Sequence, residues 1–201
     1  MRLHRSSRID SRKSRRSVAA VLILFPALAW AQIDHASDLV SHEDFLEVRI
    51  QVSGADLDRL FANLGDGLSA RMEYAIRLLD PRDRPWRVLG SRVLHEFRVA
   101  YELAWDPYRE RFAVSTQDGR RLTFADETSV RDFFFQLDGY RIPWAAIDDG
   151  SRRAASRPLI VETRAVYEPI VFVPGLTILS ILMPHTRQQT PWERLEREVR
   201  R

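Results

Sequence analysis

From Leu68 to Phe124 apolar and polar residues alternate with a period of two in four successive runs. In the first, Leu68, Ala70, Met72, Tyr74, Ile76 and Leu78 share one parity, and Ser69, Arg71, Glu73 and Arg77 the other. On a pleated strand such sets face opposite sides. The second run sets Val93, Phe97, Val99, Tyr101, Leu103 and Trp105 against Arg92, Glu96, Arg98 and Glu102. The third sets Tyr108, Phe112 and Val114 against Arg109, Arg111 and Ser115, and a short fourth carries Leu122 and Phe124. The breaks between runs are turn sequences: Asp80-Pro81 to Arg84-Pro85, Asp106-Pro107, and Gln117-Asp118-Gly119-Arg120. Proline presets φ for a turn, and Asp-Gly between alternating runs signals a hairpin. One dry and one wet face per strand predicts an antiparallel sheet, because parallel strands are apolar on both faces.

The same counting extends the pattern outward. Leu46, Val48, Ile50 and Val52 alternate with Glu47, Arg49 and Gln51, which predicts an earlier strand. Leu57, Leu60, Phe61 and Leu64 then fall at helical spacing, with Ser53 and Asp56 as a capping box and Gly65-Asp66-Gly67 as the stop. A second helix is expected over about Glu127–Leu137. Asp126 or Thr128 would cap it, Val130, Phe133, Phe134 and Leu137 would form its buried face, and Gly139 would sit just past its end. Phe135 lies off that face. Tyr140–Trp144 reads as a short strand, Ala145–Pro158 as a loop, and Leu159–Tyr167 as a strand. The expected fold is α+β, a predominantly antiparallel sheet of about six to eight strands, bent or folded into a sandwich, with two amphipathic helices on its apolar side.

The two termini read differently. Seven basic residues precede an apolar run, Val18 to Leu28, and a small-x-small sequence, Ala29-Trp30-Ala31. That is the layout of an export signal cleaved before Gln32. The run is shorter than the roughly 18 residues of a spanning helix; the alternative is an uncleaved N-terminal anchor. The expected organisation is residues 1–31 as signal, 32–44 as a polar N-terminal segment, 45–192 as a single α+β domain and 193–201 as a charged tail. In the tail, Trp192, Leu195 and Val199 would stripe a short helix, or Trp192 would anchor in the core. Export implies a periplasmic or envelope-associated location.

Charge and cysteine change the picture once the signal is set apart. The chain holds 31 Lys and Arg against 28 Asp and Glu, but residues 1–31 carry seven of the basic and one of the acidic residues. The remaining chain, from Gln32 onward, is mildly acidic with both signs interspersed, which is no nucleic-acid footprint. There is no cysteine. This excludes disulfides, thiol catalysis, Cys-ligated metal and lipid attachment to an N-terminal Cys.

Candidate chemistry is sparse. His35 and His42 lie among Asp34, Asp38, Glu43 and Asp44, but in no closed metal-ligand spacing, so a solvated lead-in is expected. Asp148-Asp149-Gly150 lacks the remainder of a calcium loop. His95 falls on the apolar parity of its strand, and His185 stands alone. No nucleophile or zinc-hydrolase motif and no phosphate-cradling loop occurs. The reading is therefore non-catalytic, with no cofactor or metal. Pro169–Pro184 contains no Asp, Glu, Lys or Arg and is broken by Pro174-Gly175. It is either buried sheet or an apolar contact surface in which Phe172, Leu176, Ile178, Leu179 and Ile181 would meet an envelope protein or a membrane surface. Tyr74, Phe97, Tyr101 and Trp105 are either plain core or the lining of a cavity for a lipid-like ligand.

The run Gly67-Leu68 through Tyr74-x-Ile76-x-Leu78, followed by Tyr101 and Trp105-Asp106-x-Tyr108-x-x-x-Phe112-x-Val114, resembles an uncharacterised family of exported bacterial proteins of about this length. Val173-Pro174-Gly175-Leu176-Thr177-Ile178 and Thr190-Pro191-Trp192 are similar to the ending of its spirochaetal branch. The Ser- and Trp-rich ending of its proteobacterial members is absent. The family is a domain of unknown function. Gene neighbours of some members encode sensor histidine kinases, so the resemblance implies an accessory role in envelope signalling, with a membrane sensor kinase as partner. Two function classes remain: a non-catalytic extracytoplasmic interaction protein, and a periplasmic carrier of an apolar ligand. Neither reading specifies an oligomeric state.

Overall fold

The computed structural model describes residues 32–80, 92–147, 159–171 and 187–197. In chain order the elements are β1 (Asp34–Ser41), β2 (Phe45–Ser53), α1 (Leu57–Gly65), β3 (Ser69–Asp80), β4 (Arg92–Asp106), β5 (Arg111–Thr116), β6 (Arg121–Phe124), α2 (Glu127–Phe134), β7 (Gln136–Pro143), α3 (Trp144–Ile147), β8 (Leu159–Val171), β9 (Gln188–Gln189) and β10 (Glu193–Arg197). They form an α+β architecture of two antiparallel sheets, ordered β1-β2-β7 and β10-β8-β3-β4-β5-β6, with β9 added to the edge of β8. The expected antiparallel α+β fold is present as two sheets, the sandwich form of that expectation, with ten strands among the described residues where six to eight were expected.

Strand β3 is central. It pairs with β4 on one side and β8 on the other, so Met72 stands in register with Tyr101 and Tyr167, and Ile76 with Phe97 and Thr163. Its predicted dry residues, Ala70, Met72, Tyr74, Ile76 and Leu78, are all fully buried. They join one core cluster with Leu46, Val48, Ile50 and Val52 of β2, Leu60 and Leu64 of α1, and Val130 and Phe134 of α2. Burying each such side chain contributes about 1.5–3 kcal/mol. The three-stranded sheet is too narrow to roof all of the larger one, and α1 packs on β3, β4 and β8 while α2 packs on β5, β6 and β7.

The buried hydroxyl of Tyr74 donates to the carbonyl of Phe134 at 3.0 Å. Phe134 is the last residue of α2, where helix carbonyls lack intrahelical partners. One strand side chain thereby closes the end of the helix that covers it.

Several boundaries differ from the sequence expectation. Asp56, not Ser53, caps α1, accepting from the Arg59 N–H at 3.1 Å, while Ser53 ends β2. Asp126 caps α2, accepting from both the N–H (2.8 Å) and the hydroxyl (2.9 Å) of Ser129. These bonds, the backbone one foremost, hold its carboxyl below the ordinary range. Helix α2 stops at Phe134 rather than Leu137, because the Phe135 carbonyl accepts from Val52 N–H at 2.9 Å and the chain turns into β7. Phe135 packs against Phe134 and Tyr167. Gly139 does not end the helix; it sits inside β7 at φ +64°, opposite an irregularity between Val48 and Ile50. A register shift at Leu78/Leu79 opposes Val93 to Leu79, which leaves Val93 exposed and packs Leu94 on the core. Tyr108, expected within a strand, stands in the turn before β5.

The ends of the chain depart furthest. The polar segment 32–44, expected as a solvated lead-in, contains β1, with Ile33 and Leu39 buried. The expected charged tail pairs with β8 as β10, Leu195 opposite Val161. Trp192 anchors neither in a helix nor in the core. It lies on the outer face of the large sheet between the guanidinium groups of Arg77 (4.0 Å) and Arg164 (4.6 Å). Beside it, Thr190 N–H donates to the Ala165 carbonyl and the Thr190 hydroxyl accepts from Ala165 N–H, both at 3.0 Å.

Two outcomes are expected. Tyr74→Phe leaves the Phe134 carbonyl unpaired and lowers stability in urea by about 1–2 kcal/mol. Burial, with Tyr101 adding, raises the Tyr74 phenol above its ordinary 10.0. The contribution of the protonated phenol is complete below the unfolded value near 10 and is lost as pH rises beyond it. The parent protein therefore loses stability above about pH 10 more steeply than Tyr74→Phe. Second, Trp192→Ala removes two cation–π contacts of about 0.5–1 kcal/mol each, and limited proteolysis then cuts first on the C-terminal side of β8.

Candidate functional site

One end of the large sheet holds both flanks of the uncharged stretch that the sequence singled out. Register pairs Ser69 of β3 with Val171 of β8, and Ala70 with Leu103 of β4, so β3 begins where β4 and β8 finish. At this end Val171 leads into the uncharged stretch, and the chain comes back at Arg187, beside Glu168 at 3.3 Å, before Gln188 pairs with Tyr167. The stretch therefore leaves and rejoins the sheet at one end. Its proposed contact residues, Phe172, Leu176, Ile178, Leu179 and Ile181, lie outside the described residues, as do His185 and Asp148-Asp149-Gly150. Pro169, Ile170 and Val171 are half-buried.

Of the four aromatics proposed for a ligand cavity, Tyr74 and Tyr101 meet edge-on at 5.9 Å, while Phe97 and Trp105 each pack on other rings. Tyr74 is sealed in the core. Trp105 packs edge-on against Phe112 at 4.7 Å, and Phe112 meets Phe61 of α1. Tyr101 lies between Tyr74 and Phe133, whereas Phe97 faces Tyr140 of β7 at 6.3 Å. Phe97, Tyr101, Phe133, Tyr140 and Phe124 are half-buried, a strip of rings along the edge where the small sheet stops short of β4–β6. Burial raises the phenols of Tyr101 and Tyr140. A half-open cleft of about 210 Å³ occurs elsewhere, between the β2–α1 connection and the end of α2. It is lined by Gln51, Ser53, Gly54, Arg131 and Gln136 among others.

A polar seam that sequence reasoning did not assemble closes the opposite edge of the sandwich. His35 of β1 places Nε2 3.2 Å from Thr163 Oγ1 of β8 and 3.4 Å from Glu193 Oε2 of β10. Ser37 Oγ lies 2.7 Å from the same Thr163 hydroxyl. Thr163 is fully buried, and His35 Nδ1 is buried with no hydrogen-bond partner. These residues stand 126 and 128 positions apart in sequence, so no local motif could have joined them. The only signal was a threonine on the dry parity of a strand.

The two other described histidines, exposed His42 and half-buried His95, stack on neighbouring rings. His42 stacks on Phe45 and lies 3.6 Å from Glu47. Glu47 is buried on the outer side of the small sheet, held by Arg49 at 2.6 Å. His95 stacks on Phe97. Among the described residues no three His, Asp or Glu side chains converge on a metal position. The charged parity of β3, β4 and β8 forms cross-strand pairs, Arg77–Glu96 at 2.8 Å and Arg98–Glu73 at 3.3 Å. Exposed pairs of this kind contribute little each.

Thr163→Val keeps the shape of the seam but removes the hydroxyl that serves both Ser37 and His35. Urea denaturation is expected to show a loss of about 1–3 kcal/mol, whereas Ser37→Ala alone costs less. No family model, curated protein or solved structure matches this chain.

Proposed function

We propose that this chain is an exported, non-catalytic accessory protein of the cell envelope that acts by binding a membrane-associated protein partner at one end of its large sheet. The observation that carries the reading is the uncharged stretch from Pro169 to Pro184, both of whose flanks are tied to that end by β8 and β9. An uncharged, apolar stretch of this length is the kind of composition that contact surfaces use. The signal-like residues 1–31 support export, and the family resemblance of the sequence supports an envelope partner such as a sensor kinase. The seam that brings His, Ser, Thr and Glu together supports a structural rather than a catalytic use of those groups, since Thr163 has no solvent access.

A second reading, carriage of a lipid-like ligand, draws on the half-buried strip of Phe97, Tyr101, Phe133 and Tyr140. Tyr74 takes no part in it, being enclosed. No described helix is long and apolar enough to cross a membrane.

The partner reading is tested by crosslinking in envelope extracts. Leu176→Asp with Ile178→Asp is expected to abolish the crosslinked species while circular dichroism and thermal midpoint stay unchanged. A doubly charged variant that folds and keeps every crosslink would refute the contact surface.

A further inference from the structure

The turn between β4 and β5 projects beyond the same end of the large sheet, past the paired ends of β3 and β8. Its sequence is Pro107-Tyr108-Arg109-Glu110, with Arg111 then starting β5. Tyr108 is 97% exposed, the most exposed large hydrophobic residue among those described. The tip is built rather than loose. Asp106 Oδ1 accepts from the N–H groups of Tyr108 (3.2 Å) and Arg109 (3.3 Å), an Asx turn, and Pro107 fixes its own φ. Glu110 completes the reversal at φ +50°. A turn whose backbone is already fixed loses little backbone entropy when its outward aromatic side chain is covered.

The charges around the ring have a bias. Arg109 and Arg111 are exposed and, among the described residues, neither is ion-paired. Other guanidinium groups nearby are neutralised: Arg187 by Glu168, Arg71 by Glu73, and Arg121 by Asp106. Glu110 is the one acidic residue of the tip itself. The tip therefore offers one phenol and two unspent guanidiniums. Tyrosine settles at the boundary between apolar and aqueous phases, and guanidinium matches phosphate geometry in two-point contacts.

We infer that the Pro107–Arg111 tip docks on an anionic phospholipid surface, with the Tyr108 ring at headgroup depth and Arg109 and Arg111 on lipid phosphates. The inference rests on the envelope-contact function proposed for this end and deepens it: the end that would meet a membrane protein also meets the lipid around it. Docking is shallow and electrostatic, so it weakens as salt rises.

The absence of cysteine permits a direct test. The exported chain, purified from the periplasm of an expressing host, carries an environment-sensitive fluorophore at Tyr108→Cys or, as control, at Ala36→Cys on the exposed side of β1. Each is mixed with pure phosphatidylcholine vesicles, or with vesicles containing phosphatidylglycerol. The expected result is a blue shift at position 108 with the anionic vesicles only, reversed by high salt, and none at position 36. In unlabelled protein, Arg109→Gln with Arg111→Gln is expected to weaken co-flotation about tenfold. The inference is overturned if position 108 stays in water while the vesicles carry the chain, which would assign binding to another part of the exported protein. It is equally overturned if the shift needs added envelope protein, which would make the tip a protein contact. Because the vesicles contain no protein, failure here leaves the crosslinking test of the protein partner independent.

Discussion

The enclosure of one face of β3 is the constraint on which the molecule depends. Five alternate residues of that strand have no solvent access, and its neighbours on both sides are hydrogen-bonded to it along nearly its whole length. A strand in this position cannot shift by one residue, because the slip would drive Arg71, Glu73 and Arg77 into the core. Tyr74 adds a second lock: its ring fills the interior while its hydroxyl reaches the last carbonyl of α2. The helix that roofs the sheet is thus positioned by the strand it covers.

The two long edges of the sandwich are finished by different chemistry. Along the β1–β8–β10 edge the hydroxyls of Ser37 and Thr163 and the His35 imidazole bond the small sheet to the large one, with the Glu193 carboxylate 3.4 Å from the imidazole. The Thr163 hydroxyl specifies which surfaces meet, because leaving it buried and unpaired would cost more than its pairing contributes. Along the β4–β6 edge the small sheet stops short, and aromatic rings from β4, α2 and β7 lean on one another with part of their surface in water. Outside, the C-terminal segment is strapped across β8 by Thr190 and by a tryptophan held between two arginines.

This arrangement leaves one end of the large sheet chemically unlike the rest. Most of the outer surface is a lattice of opposite charges that satisfy one another. At the β3-start end that lattice gives way to an uncharged stretch of chain and a stiff turn with an outward tyrosine.

What the residues alone determined is the part of the fold governed by local periodicity. The alternation in β2, β3 and β4, the stripe Leu57-Leu60-Phe61-Leu64, and the Asp118-Gly119 turn arise from the geometry of strand, helix and hairpin, which depends on neighbours a few positions away. The inward residues of β1, by contrast, are His35, Ser37 and Leu39, and their polarity hid the alternation. Strand β10 and the outward station of Trp192 were equally hidden, since a charged strand and an indole on the outer face are acceptable only beside the particular partners that β8 and β3 provide. Tertiary structure decided those positions because the burial of a polar group depends on what faces it, and for His35 and Ser37 the facing group lies more than a hundred residues along the chain.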